Sequence, residues 1–191
     1  KCPGYYVGNS FKQIGFLGGL PDSTLTTIGS FGALFNGTSK ILLASSLDYF
    51  KFKPVYSMIL SVVIVSLVVI QFSIHNAYAF GACVWINYLG DGSMTAMLPV
   101  VTINIFKNRG TEVYGYMFAE FGFAAIYGVV LVQLFQATIG YQGMLLIMLA
   151  IAVFITGTLT YVYEFDKPIS YSKLLQKNKY SDQIFGVLGF W

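Results

Sequence analysis

Four ionisable side chains stand inside long apolar stretches of the sequence: Lys12, Lys40, Asp91 and Glu120. A charged group is costly in hydrocarbon, so such residues usually face a bundle interior or a water-filled path and take part in function. A lysine in that position can bind a carboxylate, and a carboxylate can pair with a lysine or accept a proton. These four residues are therefore the candidates for chemistry.

Each of the four also has a purely structural interpretation. Lys12 and Lys40 lie near the ends of their stretches, where a long stem can carry the amine to the headgroups. Asp91 lies near the middle of its stretch, where it could instead cap backbone that the flanking glycines expose. Glu120 lies among phenylalanines, and a buried ion pair or a neutral acid is the favoured interpretation there. The residues alone leave these alternatives open.

The neighbourhood of Lys40 favours a position inside a helix bundle. Gly29, Ala33 and Gly37 recur every four residues, a pattern typical of a helix face that packs closely against another helix. Asn36 and Lys40 are one turn apart beside that face. The spacing predicts that Asn36 and Lys40 both point toward neighbouring helices.

The composition indicates an integral membrane protein. Of 191 residues, 56% are hydrophobic and 10% are charged, whereas about a quarter of a soluble domain is charged. The net charge of +3 is too small to suggest nucleic-acid binding. One histidine and two cysteines are too few for a His/Cys metal site or a disulfide framework. With no catalytic cluster and no cofactor signature, we expect neither an enzyme nor a cofactor.

The apolar stretches divide into helices. A bilayer core of roughly 30 Å needs about 20 apolar residues per helix, and turn-forming residues separate stretches of that length. The predicted spans are 1–20 (the end of a helix), 23–47, 55–74, 77–106, 114–137 and 141–163. Asp22 or Ser23 would cap the second helix. We therefore expect an all-α membrane domain over residues 1–164 and a polar tail over 165–191.

Basic residues predict the orientation of these helices. Eight lysines and arginines lie in alternate connections and in the tail: Lys51, Lys53, Lys107, Arg109, Lys167, Lys173, Lys177 and Lys179. The connections between them, at 21–22, 75–76 and 138–140, contain none. By the positive-inside rule the tail lies on the cytoplasmic side, or on the equivalent side of an organelle. The prediction is a multi-pass protein in the lipid bilayer.

The segment Phe35–Asp48 resembles the eighth helix and following loop of major facilitator superfamily transporters. In that family an asparagine-containing face leads to a basic residue, and an aspartate follows eight positions later, as Lys40 and Asp48 do here. The segments Gly90–Pro99 and Val113–Phe118 are similar to the tenth helix and its loop in the oxalate/formate antiporter and monocarboxylate transporter branch. Lys12–Gly15 resembles the end of that branch's seventh helix, and the resemblance runs from about residue 5 to residue 164.

The resemblance implies the carboxyl-terminal half of a twelve-helix bundle, with five full transmembrane helices and the end of a sixth. It implies secondary transport of a small carboxylate by alternating access, coupled to protons or to anion exchange. The partner it implies is an amino-terminal six-helix half, upstream in the same chain or in a separate subunit. The resemblance implies substrate binding for Lys40 and a gating loop of Asp48, Lys51 and Lys53. Asn36 and Lys12 are further candidates for substrate binding.

A partner acid could couple the bound charge to proton movement. Asp91 and Glu120 are the candidates for that coupling.

The chain departs from the family pattern at two places, and alternating access needs two half-bundles whereas this sequence supplies one. The altered loop and the single half support an alternative. The loop after Asp48 keeps only the acid and the basic character of Lys51 and Lys53. A lysine at position 40, in place of the usual arginine, loses bidentate carboxylate geometry. The alternative function is therefore a degenerate transporter half, retained as a structural accessory subunit of a larger membrane assembly.

Overall fold

The computed structural model describes residues 2–47 and 49–162. Asp48 of the predicted gating loop and the predicted tail 165–191 lie outside the described residues. Within the described ranges the chain forms helices and no strands. This confirms the predicted all-α class.

The helices follow one another with short connections. They are α1 (Cys2–Leu17), α2 (Asp22–Ser46), α3 (Phe52–Ser73), α4 (Ala77–Phe106), a 3-10 turn (Lys107–Arg109) and a last helix (Gly110–Val162). Gly140 interrupts the last helix with φ 65° and ψ −177°, a conformation that glycine adopts readily because it has no Cβ. We therefore name its two parts α5 (residues 110–139) and α6 (residues 141–162).

Three helical stretches are long and apolar enough to cross a membrane: Phe52–Ser73, Ala77–Val130 and Val132–Thr158. This property of length and composition is compatible with a membrane protein. The helix α2 is not among the three, because glycine, serine and threonine residues lower its hydropathy. The predicted set of six spans and its orientation therefore stay predictions.

The helix α4 is the centre of the fold, since it contacts α1, α2, α3 and the last helix. Two clusters of buried apolar side chains lie along it. Phe80 and Val84 belong to the first cluster, whereas Met94 and Met97 belong to the second. The stretch of α4 between these pairs carries the polar side chains of the candidate site.

Close contact between α2 and α4 depends on two glycines. A Cβ at Gly32 of α2 would lie 2.7 Å from the Tyr88 ring of α4, and a Cβ at Gly92 of α4 would collide with the backbone oxygen of Asn36. The indole nitrogen of Trp85 also donates a hydrogen bond to the backbone oxygen of Ile28 at 2.9 Å. The two helices therefore meet nearly backbone to backbone.

The face of α2 that packs on α4 differs from the predicted one. The buried residues of α2 are Leu25, Ile28, Gly32 and Ser39. On the predicted face, Gly29 meets Phe11 of α1, whereas Ala33 is exposed and Gly37 has no neighbour within 4 Å of an added Cβ. Small residues occur on two adjacent sides of α2, and the pattern alone did not show which side α4 uses.

The start of α2 also differs from the prediction. The residue that precedes the helix is Pro21, and no side chain caps it. Asp22 lies in the first turn, where a carboxylate interacts favourably with the helix dipole, and it binds Lys12 instead of capping. By contrast, Asn76 caps α4, because its side-chain oxygen accepts hydrogen bonds from the amides of Tyr78 and Ala79.

We expect Gly92→Ala to destabilise the protein and Gly37→Ala to stabilise it. The added methyl group at position 92 would push α2 from α4, which costs about 1–3 kcal/mol. At position 37 it meets nothing within 4 Å, so the only effect is the gain of about 0.5–1 kcal/mol from replacing a helical glycine. Thermal unfolding midpoints in detergent would measure both, and shifts of the same sign would contradict the contact described.

Candidate functional site

A hydrogen-bonded contact joins α2 to the middle of α4. The amide nitrogen of Asn36 donates to the backbone oxygen of Tyr88 at 3.0 Å and to Oδ2 of Asp91 at 3.5 Å. Asp91 is the fifteenth of the 30 residues of α4. The structure therefore brings together Asn36 and Asp91, two predicted site residues whose pairing the sequence did not reveal.

The other oxygen of the Asp91 carboxylate, Oδ1, is buried and has no hydrogen-bond partner. Asn87, one turn earlier on α4, is fully buried, and its Oδ1 also has no partner. The nitrogen of the Asn87 amide donates to Oγ of Ser66 at 2.8 Å and to the backbone oxygen of Cys83 at 2.9 Å. Two oxygen acceptors without donors thus lie on successive turns of one helix.

Asn87 and Asp91 also line a cavity of about 20 Å³. Residues of four helices line it: Gly4 of α1, Tyr56 of α3, Asn87 and Asp91 of α4, and Ala152 of α6. The contact with α1 is close, because a Cβ at Gly4 would lie 3.0 Å from the Cβ of Asp91. With Asn36 from α2, all the helices except α5 meet at this point. We call this group the Asp91 centre.

Sequence reasoning missed Asn87 as a member of this centre. The signal was present, because Asn87 and Asp91 are four residues apart in an apolar stretch and must share one face of a helix. Ser66, which holds the Asn87 amide, lies on α3 and is too ordinary a residue in an apolar helix to be singled out.

Lys12 lies away from the Asp91 centre. Its amine is 3.0 Å from Oδ1 of Asp22 and 3.0 Å from Oγ1 of Thr26, so it ties α1 to the start of α2. Thr26 precedes Asn36 by ten residues, about 15 Å of helix. The side chains of Lys12 and Asp22 are 42% and 65% exposed, and an exposed pair of this kind contributes only about 0.2–1 kcal/mol.

Lys40 lies one turn beyond Asn36 on α2, about 6 Å along the helix axis, and its side chain is half-buried. Of the predicted gating loop, Lys51 precedes α3 and Lys53 lies in its first turn. Lys51 is exposed and Lys53 is half-buried. Lys51 and Lys53 therefore lie at the end of the bundle where α2 ends and α3 begins.

Glu120 is exposed on α5, so the favoured interpretation of a buried side chain is wrong within the described structure. Every described side chain from 111 to 139 is exposed or half-buried, because α5 touches the other helices along one flank only. Phe121 is on that flank, and Glu120 is not. The structure therefore does not bring Glu120 to the Asp91 centre.

The bundle has two kinds of open surface. On α3 most of the exposed side chains are large and apolar, for example Val62, Val69 and Phe72. On α1 and α2 a strip of polar or small exposed residues runs along the helices: Asn9, Gln13, Thr26, Ser30, Ala33 and Gly37. We call this strip the polar face. Its residues suit contact with water or with another protein surface better than contact with lipid.

No protein-family model matches this chain, and no curated protein matches it either. Within residues 2–47 and 49–162, no group of three or more His, Cys, Asp or Glu side chains is arranged to hold a metal ion. The features of this chain that bear on function are the Asp91 centre, the polar face and the position of Lys40.

We expect Asn36→Leu to destabilise the fold, because it removes the amide donor from the Asp91 carboxylate. Leaving a buried polar group without its partner costs about 1–3 kcal/mol. The double variant Asn36→Leu/Asp91→Leu should recover much of that loss, since both members of the pair are then apolar. Denaturant unfolding in detergent would measure the cycle.

Asn104→Leu is the matched control for this cycle, because the amide of Asn104 bonds only to its own helix at Val100. If the loss caused by Asn36→Leu simply adds to that caused by Asp91→Leu, with no interaction energy between the sites, the pairing of the two residues has no energetic consequence.

Proposed function

We propose that this chain is the carboxyl-terminal half of a secondary carrier for a small carboxylate. The observation that carries the proposal is the polar face of α1 and α2 next to a carboxylate centre halfway along α4. An apolar helix bundle gains nothing from such a face in lipid, whereas a carrier half needs one toward its other half. An amino-terminal half would cover this face across a water-filled path.

Lys40 is the proposed substrate-binding residue. Lys40 lies on the same helix as Asn36 and is half-buried as a residue, so a small anion beside it would be partly shielded from water and bound more strongly than at the surface. Asn36 acts differently from its predicted role in substrate binding. Its amide nitrogen is engaged with Tyr88 and Asp91 on α4, so we propose that it positions α2 and leaves the direct contact to Lys40.

The remaining predicted residues receive lesser roles. Asp91 is the proposed coupling group, because its carboxylate lies where α1, α2, α3, α4 and α6 meet. Lys12 holds α1 against α2 at the opposite end from Lys40. The loop with Asp48, Lys51 and Lys53 is proposed to gate the cytoplasmic end, and the polar tail to lie on that side, in a multi-pass arrangement.

One observation favours the alternative of a structural accessory subunit. The helix α5 offers large exposed apolar side chains, among them Tyr116, Phe123 and Tyr127, together with the exposed carboxylate of Glu120. A carboxylate in the middle of an apolar helix calls for a partner. A neighbouring membrane subunit would supply one without any transport.

We expect Lys40→Gln to lower carboxylate uptake about tenfold or more, because a charge-assisted hydrogen bond contributes about 1.5–3 kcal/mol. Uptake of radiolabelled monocarboxylates and dicarboxylates into proteoliposomes holding the full native protein would measure the loss. Lys107→Gln is the matched control, since Lys107 is exposed in the turn after α4, and its uptake should equal that of the unmodified protein.

Two results would contradict the proposal. Unchanged uptake in correctly folded Lys40→Gln protein would remove Lys40 from the substrate site. The absence of uptake by the unmodified protein, together with stable co-purification of a membrane partner that lacks transport activity, would establish the accessory-subunit alternative in its place.

A further inference from the structure

The side of α5 that faces away from the bundle carries one carboxylate among large apolar side chains. The helix rests on the bundle along a flank that includes the half-buried Met117 and Phe121, and the sulfur of Met117 accepts a hydrogen bond from Thr102 of α4 at 3.4 Å. Exposed residues recur on the other side at alternating intervals of four and three: Tyr116, Glu120, Phe123, Tyr127, Val130 and Leu134. We call this set the α5 seam.

The spacing of the α5 seam suits contact with a second helix. A period of 3.5 residues keeps one line of side chains facing a neighbouring helix, and most helix pairs in membranes cross at about 20° in this left-handed way. The five apolar members of the seam are 44–69% exposed, so the bundle itself leaves room for a neighbour. Lipid could also cover these five side chains, and Glu120 therefore decides between lipid and protein.

Glu120 lies too deep in its predicted span to reach water. It follows the start of the span 114–137 by six residues, about 9 Å of helix, and its stem is shorter than the lysine stem that carries an amine to the headgroups. The sequence contains no lysine or arginine from residue 110 to residue 166, and Arg109 pairs with Glu112 at 3.2 Å. Since Glu120 also faces away from the other helices, the positive charge that a carboxylate at this depth requires must come from a neighbouring molecule.

A second copy of this chain does not meet that requirement. Two copies insert in the membrane with the same orientation, so a two-fold symmetric contact through α5 is parallel and places each residue of the seam against its own counterpart. Glu120 would then face Glu120, and two like charges at such a distance disfavour each other. A partner with a cationic side chain is complementary instead.

The α5 seam is also separate from the polar face. The helix α2, which carries most of that face, packs mainly on α4 and α1, whereas the helix after Gly110 packs mainly on α3, α4 and α1. The amino-terminal half is proposed to cover the polar face, which leaves the α5 seam to a different partner.

We propose that the α5 seam binds a transmembrane helix of a separate subunit, which carries a lysine or arginine opposite Glu120. The other contacts are apolar, since side chains of the partner helix insert between Tyr116, Phe123 and Tyr127. Removing one member of an ion pair in an apolar environment is strongly unfavourable, so Glu120 selects the partner and its register. This inference gives the accessory-subunit alternative a partner of stated chemistry. It does not depend on carboxylate transport and holds equally for a carrier that binds a further subunit.

The test uses the full native protein in liposomes and three synthetic transmembrane helices as probes. Each probe is a leucine-rich helix of about 20 residues, and the three differ only at one position about 9 Å from an end, which is lysine, leucine or glutamate. Energy transfer from the labelled probe to the labelled protein measures association. We expect the lysine probe to bind about tenfold more tightly than the leucine probe, because it gains a charge-assisted hydrogen bond, and the glutamate probe to bind least.

Two substitutions of Glu120 test the ion pair. Glu120→Gln should abolish the preference for the lysine probe over the leucine probe, and Glu120→Lys should reverse it in favour of the glutamate probe. Glu112→Gln is the matched control, because that carboxylate lies in the first turn of α5 and pairs with Arg109, so the preference should persist. Phe123→Ala should weaken binding of the lysine probe, whereas Phe154→Ala, which alters an exposed side chain of α6, should not.

Four results would overturn the proposal. Equal binding of the lysine and leucine probes would leave Glu120 facing lipid, and a preference that survives in Glu120→Gln would place the carboxylate elsewhere. Energy transfer between two labelled copies of the protein that is lost in Glu120→Gln would make a second copy the occupant. The absence of binding by all three probes would show that another part of the native protein covers α5. If Glu120→Gln fails to fold, the three probes on the unmodified protein decide alone. None of these measurements involves uptake, so failure here leaves the proposed carboxylate carrier to its own test.

Discussion

The structure depends on the burial of polar groups halfway along a long apolar helix. Asn87 and Asp91 lie on one face of α4 between two apolar clusters, and each buried polar atom there must find a partner or reduce stability. Asn36 and Ser66 supply donors and acceptors from α2 and α3. The neighbouring helices are therefore held in one register on α4, which apolar contacts alone would not specify.

Close helix contact makes these hydrogen bonds possible. The amide of Asn36 reaches α4 because Gly92 allows the backbone of α2 to come near. Gly4 likewise allows the backbone of α1 to come near α4 beside Asp91. In an apolar environment, association of helices relies on small residues and on hydrogen bonds between side chains, since lipid solvates leucine as well as a protein interior does. Both the small residues and the hydrogen bonds between side chains occur at the same turns of α4.

The sequence predicted the all-α class but not how the helices contact one another. The range 77–106 agrees with α4, because a long apolar stretch bounded by Asn76 and the basic turn after Phe106 leaves little choice of ends. The sequence could not show which side of α2 meets α4, since Gly32 and Gly37 are equally small. It singled out Asp91 because a charge in an apolar stretch is conspicuous. It missed Asn87, whose role comes from Ser66 and from a cavity that only the folded bundle creates.

In the proposed carrier, the polar face of α1 and α2 borders a water-filled path and not lipid. Single cysteines at Ser30 and Gly37 of α2, in a chain with Cys2 and Cys83 replaced by serine, would be treated in native membranes with a charged maleimide. Thiols react as thiolates, so labelling requires contact with water. The account predicts labelling at positions 30 and 37 and none at Val62 or Val69 of α3, whose side chains are exposed and apolar. Equal labelling of both helices, or labelling of α3 alone, would contradict it.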